Sequence, residues 1–374
     1  MKHLPKMRFI VITDGYPKAS KLLPTEDFFR YPCEIAKELG LSPEIWTLNI
    51  KRLAKREIAN GIPVRRFNNS GLLFFNLFCR DIKFIHSFLR PNMASLLAGL
   101  LNKKKVFTTV SYELGSTKLI KMVSLFLLKR FDKIISLTPY ELGVYKRNGI
   151  DPKKLTLLPF AVDYRFFSKK LKNKKSIMKK YSLKKNHFKI ITIANFRSCK
   201  NLDVMAKAFH IFNKKVPDSD FIVIGQDFLK AEGFYKEQNK TDKTVNSLIE
   251  ESKNIKWVGE RSPYEIRELL NVSDVYVLSS SIEAQGLTNY ESASSGIAMC
   301  LSTIGSFRTV FKDRILYHNP QDYEALAKNF LKYYKDWKLR KKNSSSVQNL
   351  VKNWDFPIIK RRLKELYKEL LKIK

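Results

Sequence analysis

Glu283 and Glu291 stand with seven residues between them, Gly286 inside that interval and Gly296 just beyond it. The apolar run Val275–Leu278 precedes them and Ile297–Leu301 follows. This layout predicts a strand, a tight loop, a short helix and another strand. One carboxylate then falls on the loop and the other on the helix, with unpaired backbone N–H groups between them. Such a helix start attracts anions, because free N–H groups and the helix dipole both favour negative charge. Gly286 has no Cβ to keep a ligand off the backbone, and Leu287 and Thr288 would open the helix toward it. A site of this kind suits a phosphate and a polyol held together, as in a nucleotide sugar. The plain alternative is two solvated glutamates on a surface helix.

A second group lies earlier. Arg197 and Lys200 follow the strand-like run Lys189–Ala194. Breaking a bond from a sugar's anomeric carbon to a diphosphate builds negative charge on the phosphates. Fixed cations there stabilise the transition state more than the ground state. In a chain this basic an ordinary solvated loop is the competing reading; the position just beyond a strand end, where open α/β sheets bind ligands, favours the functional one. Paired carboxylates also suit glycoside hydrolysis, but that chemistry has no use for neighbouring anion-binding elements.

These residues need a scaffold, and the chain alternates short apolar runs with longer mixed segments, the pattern of parallel strands joined by helices. Residues 9–13, 45–48, 64–67, 84–86, 106–110, 133–137 and 156–159 are the expected strands of a first series. Residues 189–194, 221–225, 255–258, 275–278 and 297–301 are those of a second. Helices are expected over about 26–39, 202–213, 263–271 and 321–332. The division is a first α/β domain over 1–163, a basic connector over 164–187, a second α/β domain over 188–355 and a final helix over 356–374. The expected fold class is α/β, two Rossmann-like doubly wound domains facing an interdomain cleft.

The 374 residues carry 70 Lys+Arg against 35 Asp+Glu, a net charge of +35. Residues 1–163 hold 28 basic and 13 acidic side chains, and residues 164–187 hold 10 basic and none acidic. Such a balance attracts a membrane surface, a phosphorylated substrate or nucleic acid. Cys33, Cys79, Cys199 and Cys300 are scattered without a CxxC, which fits reduced thiols and disfavours zinc. No signal peptide and no apolar stretch of about 20 residues is evident. A cytoplasmic protein, soluble or peripheral on the inner face of the cell membrane, is expected.

The Glu283–Glu291 region with Gly286 and Gly296 resembles the E-x7-E segment of family 4 (group 1) glycosyltransferases of the GT-B fold. Ala194–Leu202 resembles that family's strand–loop–helix with its Arg/Lys pair. Residues 158–163 with Phe166 resemble its P-N-G-V-D…F run, and Ser136-Leu137-Thr138 its S-x-S/T turn. Val258-Gly259 and Trp354-Asp355 fall in the family's order, so the similarity covers nearly the whole chain. The departures are Ala284-Gln285 where the family has Gly-Phe, Phe160-Ala161 where it has Asn-Gly, a glycine pair reduced to Gly15, and no histidine in residues 109–113.

The resemblance implies a retaining glycosyltransferase that moves a sugar from a nucleoside-diphosphate sugar to a glycan or lipid-linked acceptor in cell-envelope polysaccharide or glycoconjugate synthesis. It implies that Glu291 takes the ribose hydroxyls and Glu283 faces the transferred sugar. Arg197 and Lys200 meet the diphosphate, and Gly286, Leu287, Thr288 and Gly15 line the donor. No metal and no cofactor are implied, since the nucleotide sugar is a substrate. The last helix would cross back to the first domain.

His86 closes an expected strand and is a candidate on the acceptor side, with a packed structural histidine as the alternative. Asp218-Ser219-Asp220 has the look of a DxD metal motif, but after Pro217 a polar turn accounts for it. Residues 118–131 combine apolar length with flanking cations and residues 72–78 add another apolar patch; both are read as mainly core elements, with docking on an anionic bilayer together with the basic connector as the other reading. A basic nucleic-acid-binding protein is the competing class, disfavoured because no binding module or repeated aromatic platform occurs. A non-catalytic glycan-binding relative is the third, and the presence of both glutamates with Arg197 and Lys200 argues against it.

Overall fold

The computed structural model describes residues 7–13, 27–49, 53–78, 81–89, 97–109, 117–226, 247–249 and 252–373. Two compact units form, one of Met1–Ala161 with Phe356–Lys374 and one of Val162–Asp355.

The first unit is built on β1 (Arg8–Thr13), β2 (Ser42–Leu48), β3 (Arg56–Ala59), β4 (Ile62–Phe67), β5 (Ile82–Leu89), β6 (Lys104–Thr109), β7 (Lys133–Ser136) and β8 (Leu155–Leu157). They form one sheet in the order β3-β4-β2-β1-β5-β6-β7-β8. All neighbours run parallel except β3 and β4, an antiparallel pair joined at Asn60-Gly61, both at positive φ. Ile10, Ile12, Trp46, Ile85 and Phe107 of the sheet bury one face against Leu73, Leu77, Leu127 and Leu128 of the crossover helices. The last helix, Phe356–Leu371, belongs to this unit. Its Lys360 and Lys364 pair with Glu34 and Glu38, and Tyr367 stacks beside Phe9 and Phe84.

The second unit carries β9 (Phe188–Ile193), β10 (Ser219–Ile224), β11 (Ile255–Gly259), β12 (Val275–Leu278), β13 (Ala298–Ser302) and β14 (Leu316–His318), all parallel, in the order β11-β10-β9-β12-β13-β14. The central strands β9 and β12 are mostly apolar because both faces are covered. Phe188, Ile190, Phe221, Val223, Val275 and Val277 pack on one side. Their neighbours Ile191, Ile193, Ile222, Ile224, Tyr276 and Leu278 pack on the other. The reversal of strand order at β9 and β12 leaves a crevice at the carboxyl ends of those two strands, the place where open α/β sheets bind ligands.

The stretch 164–187 is not a separate connector. It folds into the second unit as the helices Tyr164–Ser168 and Lys174–Lys180, anchored by buried Phe167 and Ile177 and by Lys180 on Glu268. Its lysines are exposed, on the second helix and in the loops around it, while single apolar residues hold it down, so composition alone conceals the fold.

Candidate active site

The loop after β12 and the loop after β9 are fastened to each other. Asn201 is held in the left-handed region (φ 50°) and its side-chain amide donates to Ser279 O at 2.8 Å and Ser281 Oγ at 2.7 Å. Gln321 donates back to Asn201 Oδ1 at 3.1 Å, and Ser281 N–H donates to Cys199 O at 2.8 Å. Ser279 Oγ meets His318 Nε2 at 2.8 Å. The Asn201 amide and the Ser279 and Ser281 hydroxyls are thus spent on fixing loop against loop.

That clamp brings Lys200 to Glu283: the ammonium donates to Glu283 Oε2, and both side chains keep about a fifth of their surface exposed, 20% and 18%. The Glu283 backbone is tied separately, its carbonyl accepting from Ser306 Oγ at 2.8 Å. Arg197 lies on the same loop, half-buried, its carbonyl accepting from Lys200 N–H at 2.9 Å. So the lysine of the expected pair is the one seated on Glu283.

Helix Leu287–Ser294 begins at Gly286, which has φ 68° and no side-chain cap. A Cβ on Gly286 would stand 2.6 Å from Asn289 Nδ2 and 3.0 Å from Glu283 Cγ. Backbone and space both require glycine there. Leu287 and Thr288 form the first turn, and Thr288 Oγ1 is 3.0 Å from Tyr276 OH, which pins the helix start to β12. Further along, Tyr290 is buried against Trp354 and Phe311. Glu291 keeps some surface, yet burial pushes its carboxyl up to about 7. Gly296 closes the helix at φ 67°, with Gln348 donating to Ser294 O at 2.8 Å.

Asn289 was not singled out in the sequence. It is fully buried, and neither its amide nitrogen nor its amide oxygen has a partner among the described residues. The amide sits directly under Gly286, facing the same space as the Glu283 side chain. Its spacing of three from Gly286, on the inward face of the helix, is the only sequence signal that could have found it. An unpaired buried amide costs roughly 1–3 kcal/mol. Asn289→Leu is therefore expected to raise the melting temperature of the free protein while weakening donor binding. A merely structural asparagine would give the opposite stability change, which a thermal melt decides.

Two expected site residues are not part of this arrangement as described. Gly15 falls outside the described residues. His86 does not close its strand: it sits in the middle of β5, 1% exposed, stacked on Phe88 with ring centroids 3.9 Å apart. Its Nε2 is 2.7 Å from Thr108 Oγ1 and its Nδ1 meets Tyr367 OH. Burial holds its pKa down to about 3. The cavity beside it has a volume of ≈ 10 Å³, room for about one water and none for a sugar. His86 is a neutral core histidine in the first unit. Asp218 and Asp220 stand at the opening of β10, at the opposite strand ends from Lys200 and Glu283, each within 3.4 Å of the His187 ring.

Residues 173–349 match the family described as "Glycosyl transferases group 1". The chain is 27% identical over 306 residues to an Escherichia coli UDP-Gal:alpha-D-GlcNAc-diphosphoundecaprenol alpha-1,3-galactosyltransferase, covering 78% of this chain and 76% of that one. It is 25% identical over 210 residues to an Acholeplasma laidlawii alpha-monoglucosyldiacylglycerol synthase, covering 55% of this chain and 45% of that one. The fold is that of a sucrose-phosphate synthase from Thermosynechococcus elongatus, with a TM-score of 0.78, 15% identity and coverage of 99% of this chain and 100% of that one.

Proposed function

We infer that this chain, a group 1 glycosyltransferase of the GT-B fold, transfers a hexose with retention from a uridine-diphosphate sugar to a lipid-linked acceptor. The observation that carries the reading is the meeting of Lys200, Glu283 and the uncapped, glycine-opened start of helix Leu287–Ser294 at the carboxyl end of β12. The uridine donor and the lipid-linked acceptor are supported by the galactosyltransferase, whose name specifies both, and by the diacylglycerol glycolipid made by the second relative.

In this reading the diphosphate lies on the first turn of the helix and takes Lys200 away from Glu283. Lys200 and Arg197 then meet the charge that grows as the anomeric C–O bond breaks. Glu283, released, accepts hydrogen bonds from the sugar's hydroxyls and faces the positive charge that develops on the ring. The acceptor hydroxyl forms the new bond on the face the phosphate leaves, and its proton passes to the departing phosphate oxygen. Configuration is thereby kept without an enzymic nucleophile. The Lys200–Glu283 pair thus keeps each charge satisfied until the donor separates them.

Glu291 has the raised pKa suited to a titratable ribose ligand. A carboxyl held at about 7 when folded, against 4.5 ordinarily, binds its proton more tightly in the folded protein. Its ionisation therefore lowers the stability of the free protein as pH rises toward and through about 7. Ribose hydroxyls need the carboxylate as acceptor, so UDP binding favours the charged form and the affinity rises across the same window. Calorimetric titration with UDP on either side of that pH should show this rise. Glu291→Gln should flatten it and weaken binding by about 10–100-fold, the range for hydrogen bonds to a charged group. A pH-independent affinity in the unaltered protein would remove Glu291 from the ribose.

A further inference from the structure

We propose that one face of the first unit docks on an anionic lipid bilayer through helix Lys118–Leu128. This helix is amphipathic in the reverse of the usual sense. Only Ser124, Leu127 and Leu128 are buried. Leu119, Met122, Val123 and Phe126, spaced as a single stripe, are 70%, 59%, 37% and 54% exposed, with Ile120 beside them at 45%. A soluble helix of this length would turn such a stripe inward. Of the apolar residues expected in the core, Leu127, Leu128 and Phe131 are buried there, and this stripe is instead on the outer surface.

A second helix repeats the pattern. Ser70–Phe78 buries Leu73 and Leu77 and leaves Leu72, Phe75 and Phe78 exposed at 48%, 63% and 70%. Its buried residues and those of Lys118–Leu128 join the same core cluster, so both helices cover one face of the sheet and present their apolar residues away from it. Eight large apolar side chains on one face of a unit exceed what scattered surface residues account for.

Charge selects the occupant. Lys118, Lys121, Lys129 and Arg130 frame the stripe, all exposed, and residues 114–131 contain no acidic side chain. Residues 68–80 contain none either. The Arg130 guanidinium lies 3.7 Å over the Phe126 ring, so cation and apolar surface are one feature. A shallow apolar stripe rimmed by cations matches the boundary between acyl chains and acidic headgroups. A protein partner would need acidic complementarity and an apolar groove together; a bilayer supplies both without a specific shape. Among the described residues no helix is long and apolar enough to cross a membrane.

The inference deepens the lipid-linked acceptor reading and rests on it for its purpose. Vesicle binding is measured without donor or acceptor, so its failure leaves donor binding untouched and the two are separable. The full chain is sedimented with vesicles of phosphatidylcholine alone and of phosphatidylcholine mixed with phosphatidylglycerol. The expected result is binding to the mixed vesicles only, weakened by salt. Leu119→Ser with Phe126→Ser should lower the partition coefficient by about tenfold or more. Both positions are exposed, and an unchanged UDP-induced thermal shift checks that the variant is folded. Lys118→Gln with Lys121→Gln should remove the preference for the acidic lipid. In Phe126→Trp, the indole emission should move to the blue on mixed vesicles. Equal partition of the unaltered protein and the serine variant overturns the proposal. So does a dimer that the serine substitutions dissociate in the absence of vesicle binding, since the stripe would then face a second copy.

Discussion

Lys200→Ala is expected to lower kcat by about 10²–10³-fold, the usual consequence of removing one preorganised donor from a developing anion. The melting temperature should hardly move. Its partner Glu283 keeps about a fifth of its side chain in solvent, so water can replace the lost ammonium at the carboxylate. This split between rate and stability separates two meanings of the contact. A structural salt bridge would give a shifted melt and near-normal turnover. A diphosphate ligand parked on a carboxylate gives normal folding and slow transfer. Glu283→Gln, which keeps the shape and removes the charge, should also fold normally and also lose kcat. The double variant should fall little below the worse single one, because residues acting at one step are not additive. Single-turnover rates on the four proteins give the coupling directly. Independent, multiplying losses would show that Lys200 and Glu283 serve separate steps.

Gly286→Ala is the second large effect. The added methyl would lie 2.6 Å from Asn289 Nδ2 and 3.0 Å from Glu283 Cγ, at a φ of 68° that alanine adopts only with strain. The left-handed conformation alone costs roughly 1–2 kcal/mol in stability. The larger consequence is local. Asn289 is buried with no room to retreat, so Glu283 must swing from its place and the first-turn N–H groups are screened by the methyl. Donor KM should rise by about tenfold or more and kcat should fall with it, since binding and orientation are lost together. The comparison that isolates the steric cause is Gly286→Ala with Asn289→Ala, where space is returned at Nδ2. Partial recovery of KM in that pair would support the account. A Gly286→Ala enzyme with unaltered KM would remove the helix start from the donor site.

Much of the site is legible in the sequence, and the reasons differ by element. Val275–Leu278 is an unbroken apolar run and Lys189–Ala194 is apolar apart from Lys189 and Thr192, because their strands are covered on both faces, so both strands that carry the site are legible directly. Glu283, Gly286 and Glu291 were found by spacing across a glycine, a local pattern. Contacts between distant residues were not legible in this way. The seating of Lys200 rather than Arg197 on Glu283 depends on Asn201 locking two loops that are about 80 residues apart in the chain. Asn289 matters only because its amide ends under Gly286.

Other misses have equally physical causes. His86 is expected to end its strand, yet Ser87 after it is itself buried and the strand runs on to Leu89. β3 was overlooked as a short, partly exposed edge strand, although Asn60-Gly61 is a hairpin signal. β14 is a three-residue edge strand with little pattern to read. Apolar content predicted burial for helix Lys118–Leu128, whereas periodicity alone cannot say which face of a helix turns inward.

The central claim is tested most directly by proton NMR of the product formed from a panel of UDP-hexoses with a diphosphate-linked lipid acceptor. The account predicts transfer from one of them, with the anomeric coupling of the product equal to that of the donor. Transfer with inverted configuration, or release of free sugar with no product on the lipid, would contradict it.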